Sequence, residues 1–131
     1  MSNVRDLNKK VGEMEYDGLI TDLNPPVQVR GGVLSKLSAE APYKRGTILA
    51  RNSADNKLYI LGTTGDTLTP HSILCDDCTV GTSADLNQPV YTAGCFHPDK
   101  VTVADGYTLT PADEDALRMR NIVFRLPSEE A

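Results

Sequence analysis

Thr47-Ile48-Leu49-Ala50-Arg51, then Asn52-Ser53-Ala54-Asp55-Asn56, then Lys57-Leu58-Tyr59-Ile60-Leu61 sets the fold class. Two short runs rich in β-branched and aromatic residues flank five polar residues, the pattern of a hairpin. Upstream, Val27-Gln28-Val29 alternates as a half-buried strand, Gly31-Gly32 breaks it, and Val33-Leu34-Ser35-Lys36-Leu37 resumes it beyond a bulge. Residues 38–43 read as a loop containing Pro42. Downstream, residues 62–70 read as a Gly/Thr loop and His71-Ser72-Ile73-Leu74-Cys75 as a strand. Residues 79–88 read as turns. Pro89-Val90-Tyr91-Thr92-Ala93-Gly94-Cys95-Phe96 reads as a strand with its proline at the entrance, where a missing amide is tolerated.

The C-terminal region changes period. Thr110 is an N-cap candidate, Pro111 fits the first helical position, and Asp113 completes a short-armed capping box. Asp113, Glu114 and Asp115 suit the positive end of the helix dipole, and Arg118 and Arg120 the negative end. Asn121 can adopt the left-handed conformation that stops the helix, and Ile122-Val123-Phe124 then reads as a strand. Five to seven short strands and one late helix predict a mainly β, α+β chain. Its body is a small barrel or sandwich, with an extended N-terminal arm.

The 131 residues fit one domain, divided as an arm over 1–24 and a β-rich body over 25–131. The arm is polar and sparse in apolar residues until Met14, Tyr16, Leu19, Ile20 and Leu23. Two readings stay open for it at this point: a strand docked on its own domain, or a segment that adds to a partner's sheet edge. Pro25-Pro26 stiffens the entry to the body.

A net charge of −5 without a basic stripe argues against direct nucleic-acid binding. No apolar run is long enough to span a membrane, and the first ten residues carry no signal-peptide h-region. An odd count of three cysteines argues against a disulfide framework.

Cys75, Cys78, Cys95 and His97 form the sharpest chemical candidate, a tetrahedral zinc set. Against it, two carboxylates lie between the first pair, and cysteines on strands usually serve as small buried hydrophobes. The same carboxylates oppose a low-pKa redox thiol. No Lys-Ser/Thr follows Gly62 and Gly65, so the phosphate-binding loop is absent, and neither His71 nor His97 belongs to a nucleophile-elbow motif. The reading therefore expects no enzyme and no cofactor.

Four stretches carry a family resemblance, covering most of residues 17–124. They are Asp17-Gly18-Leu19-Ile20 with Pro25-Pro26-Val27; Tyr43-Lys44-Arg45-Gly46-Thr47-Ile48-Leu49; Val90-Tyr91-Thr92-Ala93-Gly94-Cys95-Phe96; and Leu117-Arg118-Met119-Arg120-Asn121-Ile122-Val123-Phe124. Together and in this order they resemble the tailed-bacteriophage head decoration proteins of the lambda-type capsid-stabilising family. Asn121 stands where that family's pattern has glycine, and the cysteine and histidine set is no part of it.

The resemblance implies a non-enzymatic homotrimer, made in the host cytoplasm and carried on the outer surface of the virion. It would grip neighbouring major capsid protein subunits against the pressure of packaged DNA. It favours the partner-docking reading of the arm, with Tyr16, Leu19, Ile20, Pro25 and Pro26 as capsid contacts. The alternative is a small zinc-binding β module.

Overall fold

A computed structural model describes residues 18–63 and 68–126. Among these lie nine strands: β1 (Ile20–Asp22), β2 (Gln28–Leu34), β3 (Ala41–Tyr43), β4 (Ile48–Asn52), β5 (Leu58–Ile60), β6 (Leu68–Leu74), β7 (Cys78–Val80), β8 (Leu86–Phe96) and β9 (Ile122–Phe124). The helix α1 (Pro111–Arg118) precedes β9. The mainly β fold with one late helix is the one the sequence predicts.

The eleven-residue strand β8 is the spine of the molecule. Its register shifts where Gln28 faces Ala93 but Val29 faces Tyr91, leaving Thr92 as an extra residue. Strands β1 and β2 pair along one edge of β8, and β6 and β9 along the other. β2, β5, β4 and β6 follow in order, and β6 returns to β8, which closes a five-stranded barrel. Closure between β2 and β5 rests on the pair Leu34 and Leu58, with a Ser35 N–H to Leu58 carbonyl bond of 3.0 Å.

Alternation along the strands produces two cores. Leu34, Leu49, Leu58, Leu74 and Val90 come from all five barrel strands and fill the interior, where Tyr43 and Val80 of the β3–β7 pair join them. The opposite faces of β4, β6 and β8 present Ile48, Ala50, Ile73, Cys75 and Tyr91 to an outer core. Leu19 just before β1, Ile20 of β1, Leu117 of α1 and Ile122 of β9 cover that outer face. No buried residue of β2 or β5 belongs to the outer core, so the outer face of β2 has no cover among the described residues.

Several boundaries differ from the sequence reading. Gly31-Gly32 does not break β2. A Cβ at position 32 would lie 2.7 Å from Leu58 Cδ1, so glycine allows close packing within a continuous strand. Residues 38–43 and 79–88 are not simply loops. The first holds β3 despite Pro42, because the short β3–β7 pair needs few ladder bonds, and the second holds β7 and the start of β8. Pro70 lies within β6, and Pro89 lies inside β8 rather than at its entrance, opposite Gly31.

The arm boundary also moves. Residues 18–24 belong to the body: β1 pairs with β8, and His97 N–H donates to the Leu19 carbonyl at 2.7 Å. Residues 1–17 lie outside the described region.

Candidate interaction surface

Among the strand edges that no described strand covers, those of β2 and β9 lie on opposite sides of the spine. The first belongs to β2. β8 takes one side of this strand, and beyond Leu34 no described strand takes the other. Along residues 28–33 only Gly32 falls short of exposed, with Val29 at 50% and Val33 at 39%. These valines share a face with Tyr91, yet the outer core that buries Tyr91 does not extend to them. Val29, Arg30, Gly31, Asn87, Gln88 and Pro89 line a shallow depression of about 420 Å³.

The second edge belongs to β9, and the helix before it creates it. Thr110 accepts from the Asp113 amide, and Asp113 returns a bond from the Thr110 amide, closing both halves of the capping box. Tyr107 donates its hydroxyl to the same Asp113 carboxylate. At the other end Asn121, with φ at 68°, turns the chain back beside β8. Gly94 N–H donates to the Asn121 carbonyl at 2.9 Å, and Arg125 N–H to the Phe96 carbonyl at 3.0 Å. Alternate residues of a strand address alternate edges, so the backbone groups of Ile122 and Phe124 point away from β8. A groove of about 410 Å³ runs there between α1 and β9, lined by Pro98, Glu114, Arg118 and residues 122–125. Arg118 pairs with Asp115, and Arg125 reaches Asp22 at 3.5 Å and the Asn24 carbonyl at 3.3 Å.

The sequence-predicted contact residues divide. Tyr16 lies outside the described residues. Leu19 and Ile20, at 1% and 5% exposure, are core side chains of this domain and have no free surface to offer a partner. That corrects their assignment as capsid contacts: the apolar pair at the end of the arm completes the outer core. Pro25 is half-buried after a cis Asn24–Pro25 bond, and Pro26 is exposed. Between the two groups Leu23 is 57% exposed, a residue the sequence reading put in the arm without giving it a role. Its signal was spacing, since it falls past β1 and just before the prolines.

The thiols and His97 do not converge. Among the described residues no group of three or more His, Cys, Asp or Glu side chains is placed to hold a metal ion. Cys75 is buried in the outer core, where desolvation and then Asp76 push its thiol up to about 12. Cys78 packs against the interior core instead, its thiol also raised by burial and then by Asp77 and Asp76. Cys95 lies beside Thr21, with Sγ 3.3 Å from the hydroxyl. His97 accepts the Asp99 amide at Nδ1.

The stretches that carry the family resemblance come together in the outer core and at its rim. Arg45 donates to the Cys75 carbonyl at 2.9 Å and the Tyr91 hydroxyl at 2.6 Å, its guanidinium 5.5 Å from the Tyr91 ring centre. Tyr91 packs on Phe96 with ring centres 5.3 Å apart. Gly46 has φ at +96°, and a Cβ there would lie 2.7 Å from the Lys100 carbonyl oxygen. Leu19, Leu117 and Ile122 complete the cluster. Compared with known proteins, the chain matches no protein-family model and no curated protein sequence.

Proposed function

We propose that this chain is a capsid decoration protein of the tailed-phage type. In this reading it is a non-enzymatic trimer on the outside of an expanded head, bridging major capsid subunits and resisting internal DNA pressure. The convergence of the resembling stretches on one core carries the reading, because it makes the likeness one of a whole packed body. Arg45, Tyr91, Phe96, Leu117 and Ile122 come from three separated stretches and meet around the outer core. The capsid-facing groups are then residues 1–17, including Tyr16, followed by Leu23 and the Pro25-Pro26 segment. A trimer contacting several subunits gains effective concentration, so modest individual contacts combine into a firm grip.

Co-sedimentation with empty expanded heads of the phage that encodes the chain tests this directly. The full chain is expected to pellet with heads, and a chain lacking residues 1–17 to remain in the supernatant while still folded. Failure of the full chain to bind would remove the reading. Equal binding by the shortened chain would move the contact onto the body.

A further inference from the structure

We propose that the open edge of β2 is a docking site for an extended segment of another protein, one that alternates β-branched side chains with carboxylates. Two observations fix the backbone groups it would meet. Ser35 N–H donates to the Leu58 carbonyl, so Ser35 addresses the β5 side of the chain, and Val33, Gly31 and Val29 share that side by alternation. Opposite Gly31 stands Pro89, which has no N–H, and its carbonyl accepts from Cys75 on the β6 side at 3.2 Å. The Gly31 and Pro89 pair therefore exchanges no ladder bond. The open groups are the amide and carbonyl of Val29, the amide and carbonyl of Gly31, and the Val33 amide. Groups in this arrangement accept an added strand.

The side chains along the edge define what that strand carries. Val29 lies opposite Tyr91 and shares its outer face with Val33, and both valines are exposed. Arg30 lies opposite Val90 on the other face, is exposed, and has no side-chain partner among the described residues. Neighbouring strands match side chains face by face, so apolar groups fit beside the valines and a carboxylate beside Arg30. A second β2 would set two Arg30 side chains at one seam, and a cationic segment would repeat that opposition. Space is available too. The depression of about 420 Å³ runs along Val29, Arg30 and Gly31, and a Cβ added at Gly31 would have nothing within 4 Å.

The inference stands apart from the capsid reading, which supplies one owner for such a segment, a major capsid subunit. It adds a contact on the body to those at residues 1–17, Leu23 and the proline segment.

Amide exchange measured by NMR on the full-length chain tests it. The probe is a short soluble peptide alternating valine with glutamate. In the free wild type the amides of Val29, Gly31 and Val33 should exchange fast, and those of Arg30 and Gly32, turned toward β8, slowly. The peptide should slow the first three. Gly31→Ala keeps the amide and should bind as the wild type does. Gly31→Pro removes an amide that bonds nothing in the fold, as edge prolines do, and thermal unfolding checks that the variant is intact. It should bind at least about tenfold more weakly, because the peptide's carbonyl is left unpaired. Arg30→Glu should lose a similar factor, and a peptide with lysine in place of glutamate should recover most of it, as coupled charges require. That charge exchange decides the matter by itself if Gly31→Pro does not fold. Outward amides already protected in the free chain, no response to the peptide, or an Arg30→Glu chain indifferent to the peptide's charge would each overturn the proposal. Peptide binding by a chain that ignores heads leaves this inference standing and removes the capsid reading. Head binding without any response to the peptide does the reverse.

Discussion

The rim of the outer core and the edge of β2 lie on the same spine strand and obey opposite rules. Around Tyr91 and Phe96 most polar or strained features have a local partner, the buried Thr92 hydroxyl at the bulge being the exception among the described residues. Arg45 is fixed by a carbonyl, a hydroxyl and an aromatic face, and the left-handed Gly46 sits against the Lys100 backbone. Along β2, residues of the same alternating pattern face solvent, and Arg30 has no side-chain partner among the described residues. The resembling stretches lie mostly on the closed side. Their residues are accounted for by packing, so they identify a body, while the surfaces available to a partner lie where no motif drew attention.

The strongest test of this contrast is where the chain can be cut. Removing residues 1–17 is expected to leave stability nearly unchanged, because the body begins at Leu19. Removing 1–20 also takes Leu19 and Ile20 out of the core. Each such loss costs about 2–5 kcal/mol by lost transfer energy and the cavity left behind, so the second truncation should be barely folded. Urea unfolding of the two proteins decides it. Equal midpoints would mean that β1 is not the core element described above.

Next in size is Phe96→Ala. Phe96 is fully buried, stacks on Tyr91 and packs over Gly94, where an added Cβ would lie 2.9 Å from the ring. Its loss is expected to cost about 3–5 kcal/mol in denaturant unfolding. A cost below about 1 kcal/mol would show that the rim is not the tightly determined side of the molecule.

The sequence made some of this legible for definite reasons. The helix signals were local: Thr110, Pro111, Asp113 and Asn121 each act through their own turn, and all four hold in the structure. The β4–β5 hairpin was equally local. Barrel closure was not, because it depends on Leu34 meeting Leu58 and on a bulge at Thr92 that redirects β8 toward two further strands. Gly32 was misread because a glycine placed for close packing looks the same in sequence as one that breaks a strand. Leu19 and Ile20 were read with the polar arm before them, although they were the apolar pair available to cap the outer core. The open edges had no sequence signal at all, since an edge is defined by which neighbour is missing.

A smaller effect concerns pH. His71 is half-buried, and desolvation first, then Arg120 and Arg51, lower its pKa to about 4. The unfolded chain, with the ordinary value near 6.5, binds the proton more readily. Stability from keeping this ring neutral is therefore complete above about 6.5 and is lost as pH falls toward about 4. Discounted for solvent screening at a half-buried site, the difference between wild type and His71→Gln should change by about 1 kcal/mol across that window. Comparing the two proteins cancels the carboxylates they share. A constant difference from pH 7 to pH 4 would place the ring in a more aqueous setting than its burial implies.

The smallest expected effect on stability is on the open side, and there a null result is informative. Val29→Asp with Val33→Asp places two charges on the outer face of β2, where the two side chains are 50% and 39% exposed and the outer core does not reach. Surface changes of this kind usually stay within about 0.5 kcal/mol each, so the unfolding midpoint should barely move. Any association through this edge should weaken nonetheless, because charge placed on an edge strand opposes edge-to-edge pairing. The mirror experiment on the closed side, Phe96→Ala, changes stability by several times as much. If the β2 variant instead unfolds early, the valines belong to a buried face, and the division of β8 into a closed rim and an open edge fails.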